Sequence, residues 1–488
     1  MDIAPQNLLV IMSDEHSVKT LGCYGSPIAR TPHLDALAAR GTRFASAYCC
    51  NPVCIPARAT FATGLYTHQV GYWDNADPYE GSIPSWHHHL RERGHRVDAI
   101  GKLHFRSTDD DNGFSTEHIP MHVIDGKGDL MGLIRDRLPE RKGAYKMASM
   151  AGAGESMYTR YDRDIAAAAQ VWLHEEAARH TDRPWVLFVS FVAPHFPLTA
   201  PAEYFYEYYE NERLPWPKLY EHAQRPDHPF VRDYAASFVY DRHFDSRDRV
   251  RRAVAGYHGL CTFLDEQVGK VLAALESTGL AGNTRVLYTS DHGDNLGARG
   301  LWGKSTLYQE AAAVPLIVAG DGLPAGRVVD EHVSHVDFWP FVFEATGAPV
   351  PGCADHTHPG ISLAALAHGA RPERTVLSEY HGMGSTTGAF MVRLDQFKYV
   401  HYVDYPAQCF DLREDPEELV DRVRDPAMRA PMREAHARLA AMLDPVQIDA
   451  RAKARQAQLL ARNGGRDAVI ARGDLGFSVP PGVTPMFD

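Results

Sequence analysis

The chain has 488 residues, 44% of them apolar and 23% charged, a composition that fills a real core and excludes a disordered or fibrous protein. A net charge of −12 without any long basic run argues against a nucleic-acid partner. At roughly 150 residues per domain the length allows about three units, or one large α/β domain with an appendage.

The chain starts without a basic leader. Its first apolar run, LLVIM (8–12), falls far short of the roughly 18 residues of a membrane span, so it predicts a buried first strand, no targeting segment and no membrane partner. RVDAIG (96–101), WVLFVSF (185–191), RVLYTS (285–290) and VPLIVA (314–319) predict further buried strands. Between them, residues 159–180 and 251–278 carry apolar side chains at helical spacing, in the second case Val254, Leu260, Leu264, Val268 and Leu272. Strands alternating with helices predict an α/β fold with a large, mostly parallel sheet covered on both faces. The polar, irregular segments 105–158 and 205–250 read as insertions that shape a pocket.

Near residue 370 the pattern changes. RTVLSEY, GAFMVRL and FKYVHYV predict a small antiparallel sheet, followed by a helix at about 427–444, an Arg/Ala-rich stretch and an extended Pro/Gly-rich tail. The expected organisation is a catalytic domain over 1–370, a small α+β unit over 371–450, and a tail over 451–488 available for contacts within a homo-oligomer. Seven cysteines, an odd number scattered along the chain, argue against a disulfide framework and predict a reducing, cytoplasmic setting. Three of them, Cys49, Cys50 and Cys54, crowd together without an evident reason in the count.

Chemistry-bearing residues cluster at predicted strand ends, where an α/β sheet meets its ligand crevice. Asp14 and Glu15 follow LLVIM; they suit either a hard cation or a helix N-cap. Asp291 and His292 follow RVLYTS and offer an oxygen and a nitrogen donor, with Asp294 a turn residue or a further acid. Two acid-bearing strand ends in one sheet favour a shared metal site. Cys54, Pro56 and Arg58 form C-x-P-x-R, followed by Thr63-Gly64. A cysteine there reads as a small buried hydrophobe, or as a thiol activated by a nearby arginine.

These motifs together resemble the type I sulfatases of the alkaline phosphatase superfamily. The likeness runs from about Asn7 to Glu418 through NLLVIMSDEH, TPHLDALAARGTRF, CIPARATFATG, GKLHF, APHFP, SDHGDNLGARGLWGK, VPLIV and CFDLREDPEE. It implies an alkaline-phosphatase-like fold and conversion of Cys54 to formylglycine by a maturation enzyme that reads Pro56 and Arg58. Hydrated formylglycine would attack a sulfate ester through a covalent sulfo-enzyme intermediate. The resemblance places Asp14, Asp291, His292 and modified Cys54 on one divalent cation. Glu15, standing where the family more often has Asp or Gln, is counted as a further ligand to that cation. Oxygen donors suit Ca²⁺, Mg²⁺ or Mn²⁺, and the imidazole of His292 favours Mn²⁺. Arg58 would steady the formylglycine and Lys102 would contact nucleophile and sulfate. His104 would take a proton as the aldehyde re-forms, and His195 and Lys304 would bind sulfate and protonate the leaving oxygen. Asn75 matches a polar position near the sulfate.

GKLHF, SDHGDNLGARGLWGK and LSEYHG most resemble choline sulfatases and related bacterial enzymes. Glu379-Tyr380, however, is followed by His381, Gly382 and Met383 where a second acid would suit a quaternary ammonium. The implied substrate is therefore a small alkyl or aryl sulfate ester. Trp73, Trp86, Trp302 and His87–His89 are candidates for the leaving-group pocket and equally for the core. The competing readings are a phosphonate monoester or phosphodiester hydrolase of the same superfamily, a silent metal-binding relative with an unmodified thiol, and a hydrolase or redox enzyme using Cys54 directly.

Overall fold

A computed structural model of the chain describes residues 3–352, 357–474 and 477–485. Cys353, residues 475–476 and the last three residues of the expected tail lie outside the described residues.

Eight strands form the central sheet: β1 (Asn7–Asp14), β2 (Gly41–Tyr48), β3 (Val97–Lys102), β4 (Thr116–Met121), β6 (Val186–Pro194), β8 (Thr284–Ser290), β9 (Leu316–Ala319) and β10 (Arg327–Ser334). A two-residue pair, β5 (Gly152–Ala153) and β7 (Thr199–Ala200), lies apart. The sheet order is β10-β2-β9-β8-β1-β6-β3-β4. Only β9 runs antiparallel to its neighbours; all other pairs are parallel. The run VPLIVA was expected among the parallel strands and is instead this reversed one, because apolar content marks burial and carries no direction.

β1 shows why the sheet sits where it does. Every residue from Asn7 to Asp14 is buried. Leu8, Val10 and Met12 join one core with Phe61, Phe188 and Phe338, while Leu9 and Ile11 join another with Ile165, Leu264 and Val268. That is the two-residue period of a strand covered on both faces. Each such side chain contributes roughly 1.5–3 kcal/mol by leaving water. The helices Met157–Val171 and Arg247–Ser277 cover the second face, close to the expected spans; the helices Cys54–Thr63 and Phe338–Thr346 cover the first.

β2, β4 and β10 lacked an apolar run in the sequence. β4, at the sheet edge, has one buried residue in six, so its hydropathy resembles a loop. Segment 105–158 therefore contains a strand, and 205–250 contains the helix Pro229–Phe238, although both had been expected to be irregular.

The C-terminal sheet has the three expected strands, β11 (Val376–Tyr380), β12 (Ala389–Leu394) and β13 (Phe397–Tyr402), plus a fourth, β14 (Tyr405–Asp411), in simple antiparallel order. The expected helix is Arg429–Met442, and the Arg/Ala-rich stretch forms two more, Pro445–Arg462 and Gly465–Arg472. Among the described residues no helix is long and apolar enough to cross a membrane.

Candidate active site

Four adjacent strands, β8, β1, β6 and β3, end side by side, and the predicted residues emerge from their carboxyl ends. β1 delivers Asp14 and Glu15, β8 is followed by Asp291 and His292, β6 by His195, and β3 ends on Lys102 with His104 just beyond. Facing them is the helix Cys54–Thr63, buried at every residue, with Cys54 at its first turn. Its backbone N–H groups and the positive end of its dipole point into the same space. Ile55 N donates to Asn75 Oδ1 at 3.0 Å, so Asn75 secures this helix end as well as lining the cavity.

Cys54 is the hub. Its Sγ lies 3.0 Å from Lys304 Nζ, 3.2 Å from His292 Nε2 and 3.7 Å from Asp14 Oδ1. Arg58, one helical turn on, spans both acidic strand ends: Nε donates to Asp291 Oδ2 at 2.9 Å and Nη2 to Asp14 Oδ2 at 3.0 Å. Its Nη1 donates to Lys102 O at 2.7 Å and Ser190 Oγ at 2.9 Å. Lys102 Nζ pairs with Asp14 Oδ2 at 2.7 Å. His195 Nε2 lies 2.8 Å from Lys304 Nζ, and its Nδ1 lies 2.6 Å from Phe196 O. Backbone strain gathers here: Glu15, His104 and Ser305 all have positive φ, at 69°, 60° and 76°.

Burial works against the Asp14 carboxylate, but Lys102, His195, Lys304 and Arg58 outweigh it and hold its pKa well below the usual value. Burial raises Asp291, with Asp14 adding to the rise. Burial also opposes the Lys304 ammonium, yet Cys54, Glu15 and Asp14 keep its pKa well above normal. His195 is pushed far down by burial, then by Lys304 and Lys102. Burial and then Asp14 raise the Cys54 thiol, so it is not an activated thiolate. This weighs against a direct cysteine nucleophile.

The donors fit a cation. Asp14, Cys54, Asp291 and His292 each place one ligand atom within 4.8 Å of the others, all buried. His292 Nδ1 lies 3.0 Å from the Gly293 carbonyl, which fixes the tautomer with its proton on Nδ1 and leaves the Nε2 lone pair, beside Cys54, able to ligate a cation. Only glycine fits at 293, where a Cβ would lie 2.0 Å from Glu310 O. Glu15, 3.5 Å from His195 Nε2 and 3.4 Å from Lys304 Nζ, forms a second possible ligand group with Asp14 and His195, and its Oε1 is buried without a hydrogen-bond partner among the described residues. Burial raises the pKa of Glu15 well above normal and pushes that of Asp294 up to about 6, whereas Arg58, Lys102 and Lys304 supply the buried positive charge of the site.

A cavity of about 80 Å³ opens on Cys54, Asn75, Lys102, His104, His195 and Lys304. Both irregular segments do shape it, through Asp129, Arg141 and Met147 from one and Tyr234, Phe238 and Tyr240 from the other. Trp73, Trp86, Trp302 and His87–His89 do not line it; the indoles and His87 are core side chains at 1–3% exposure. Asp294 takes the turn role, accepting from Leu296 N at 2.5 Å. Cys49 and Cys50 lie buried just before the helix of Cys54. Sequence reasoning missed Ser190, and also Phe477 and Ser478, which reach the cavity from the chain's far end.

Glu379 is fully buried between His68 Nδ1 at 2.7 Å and His381 Nε2 at 3.4 Å and does not line the cavity at Cys54. Burial would raise its pKa, but His68 and His381 outweigh this and hold it at about 2. A depressed carboxylate stabilises the fold above its unfolded pKa near 4.5 and loses that contribution as pH falls towards 2. Glu379→Gln is expected to cost about 3 kcal/mol at neutral pH and to flatten the acid limb of stability, read by urea unfolding from pH 2 to 7.

Comparison with known proteins agrees with this geometry. The family model described as Sulfatase matches residues 6–348, and the one described as N-sulphoglucosamine sulphohydrolase, C-terminal, matches 297–444. The choline-sulfatase of Rhizobium meliloti (strain 1021) is 32% identical over 445 residues, covering 89% of this chain and 85% of that protein. Arylsulfatase K of Canis lupus familiaris is 28% identical over 439 residues, covering 85% and 78%. A solved 2-O GAG sulfatase superposes with a TM-score of 0.71 at 23% identity, covering 90% of this chain and 92% of its own. The phosphonate monoester hydrolase of Agrobacterium radiobacter does so at 0.70 and 22%, covering 93% and 97%. At such identities these two structures speak for the fold alone. With a family model spanning most of the chain and a relative alike along nearly its whole length, the chain belongs to the sulfatase family.

Proposed function

We propose that the protein hydrolyses small alkyl or aryl sulfate esters, using formylglycine made from Cys54 and one divalent cation held by Asp14, Asp291, His292 and the group at position 54. The carrying observation is the convergence on Cys54 Sγ of Lys304, His292 and Asp14 within 3.7 Å, at the N-terminus of a buried helix. The hydrated aldehyde supplies a hydroxyl nucleophile and the cation supplies charge that lowers the pKa of that hydroxyl and offsets sulfate.

The chain's own groups do the rest. Arg58 fixes both acidic strand ends. Lys102 and Lys304 hold fixed positive charge where sulfate oxygens gather negative charge, in a buried setting that strengthens the attraction. The His195–Lys304 pair relays a proton to the leaving oxygen, and His104 accepts one from position 54. Mn²⁺ suits the mixed oxygen and imidazole donors, with Ca²⁺ and Mg²⁺ as competitors. Because Cys54–Thr63 is buried throughout, the maturation enzyme must read this segment before folding. Besides Cys54, the five other described cysteines form no disulfide with one another, which supports the cytoplasmic reading.

The test is parallel kinetics of the purified protein on 4-nitrophenyl sulfate and a phenyl phosphonate monoester. A higher kcat/KM on the sulfate is expected; a much higher value on the phosphonate would transfer the assignment to that chemistry. Lys304→Ala should lower kcat on the sulfate by about 10²–10³-fold, the scale of losing one preorganised charge donor.

A further inference from the structure

We infer that the C-terminal segment completes the reaction site: Ser478 is a positioning residue for His104, Phe477 is a wall that limits leaving-group size, and Asp474 anchors both. The inference rests on the sulfate-ester reading above. Within the segment 451–488, Asp474, Phe477 and Ser478 lie on the chain's own cavity.

The anchor is built from buried charge. Asp474, 3% exposed, accepts from Arg141 Nε and Nη2, each at 3.1 Å, from Lys142 N at 2.9 Å and from Gly143 N at 3.3 Å. Arg141 also donates to Asp129 Oδ1 at 2.8 Å, so its guanidinium is clamped between two carboxylates. Gly473, at φ 91°, ends the last helix and turns the chain into this anchor.

Ser478 then meets a proposed catalytic histidine. Its Oγ lies 2.7 Å from His104 Nε2, and its carbonyl accepts from the Tyr158 hydroxyl. His104 Nδ1 is buried and, among the described residues, has no hydrogen-bond partner. One ring nitrogen is thus held and the other is left for the reacting group. A ring fixed through one nitrogen presents the other in one orientation, as partners behind metal-bound and catalytic histidines do. His104 already sits at a strained positive φ, so an external hold on its ring is what such a site requires.

Phe477 packs edge-on against Tyr158 at 5.8 Å and Phe196 at 5.9 Å, with Lys146 Nζ 5.5 Å from its centroid. Across the cavity, the Tyr234 and Tyr240 hydroxyls donate to the carbonyls of Lys304 and Trp302 at 2.9 and 2.7 Å. Their polar ends are spent on backbone, which leaves ring carbon towards the cavity. Apolar side chains (Phe196, Phe238 and Phe477) thus line the cavity beside the charged Lys102, Lys304, Asp129 and Arg141. A compact ester fits; a bulky one meets Phe477.

Two substitutions in the full-length protein test this. Ser478→Ala should lower kcat on 4-nitrophenyl sulfate by about 10–100-fold with KM and thermal midpoint unchanged, and Ser478→Thr should restore most of it. Phe477→Ala should raise KM for 4-nitrophenyl sulfate by about 10-fold, the worth of one good apolar contact, and shift kcat/KM towards a naphthyl sulfate. Unchanged kinetics in both variants, or a Ser478→Ala loss that follows the thermal midpoint without rescue by threonine, would overturn the inference while wild-type turnover preserved the sulfatase reading. Absence of any sulfate-ester turnover by the wild type would overturn both.

Discussion

Cys54→Ala is expected to lower sulfate-ester turnover by at least about 10⁴-fold while leaving the fold intact. The two halves of this expectation have separate physical grounds. Cys54 is a small, fully buried side chain, so losing one sulfur costs on the order of 1 kcal/mol of packing, and the circular dichroism and thermal midpoint should barely move. Catalysis differs because no neighbouring group can replace the group at 54. The other residues close to it are the Lys304 ammonium, the Asp14 carboxylate and the His292 imidazole, which the proposed cation occupies.

The same position separates the competing readings. Peptide mass spectrometry across residue 54 should find the aldehyde in natively produced, active protein, and activity should scale with its fraction. The thiol is raised by burial and by Asp14, so unconverted protein is expected to be inert. Full activity in a sample carrying only thiol at 54 would make the cysteine itself the nucleophile. A wild-type protein with a free thiol and no turnover would make it a silent relative.

How much of this was legible beforehand follows from what hydropathy and motif spacing encode. Asp14 and Asp291 could be placed because each follows an apolar run, and parallel strands end on one side of a sheet; Lys102 and His195 were reached only through the resemblance of GKLHF and APHFP to the sulfatase motifs. The edge strands β4 and β10 escaped because exposed residues break up their apolar pattern. The helix Pro445–Arg462 was visible in principle: Ala, Arg, Gln and Leu are strong helix formers, Asp444 caps its first turn and Pro445 is its first residue. The contact of Ser478 with His104 was not. It joins residues 374 apart, and no local spacing records such a closure. The aromatic wall has the same origin, since Phe196, Tyr234 and Phe477 come from three segments whose meeting is a property of the packed fold.

Arg58→Ala is expected to destabilise the apo protein by about 3–5 kcal/mol, the cost of stranding buried charge by removing its partner. Asp14 and Asp291 are fully buried, and the guanidinium at 3% exposure bonds to both. Lysine should not rescue this. A single ammonium cannot reproduce a planar fork that reaches Asp291, Asp14, the Lys102 carbonyl and Ser190 at once, so Arg58→Lys should recover less than half of the loss. The sign of the pH dependence follows from Asp14. Its pKa is held well below the usual value, so its stabilising contribution is present above the unfolded carboxylate pKa near 3.8 and fades as pH falls towards its folded pKa. Arg58→Ala removes one of the cations responsible, so the gap between wild type and variant should be widest at neutral pH and narrow below about pH 4. A divalent cation offers the stranded carboxylates a substitute charge, so added Mn²⁺ should recover part of the lost stability and a chelator should abolish that recovery. Urea unfolding at about pH 3 and pH 7, with and without Mn²⁺, reads all of this without any turnover. A variant within 1 kcal/mol of wild type, or one blind to Mn²⁺, would show that the two acidic strand ends do not form one shared charge site.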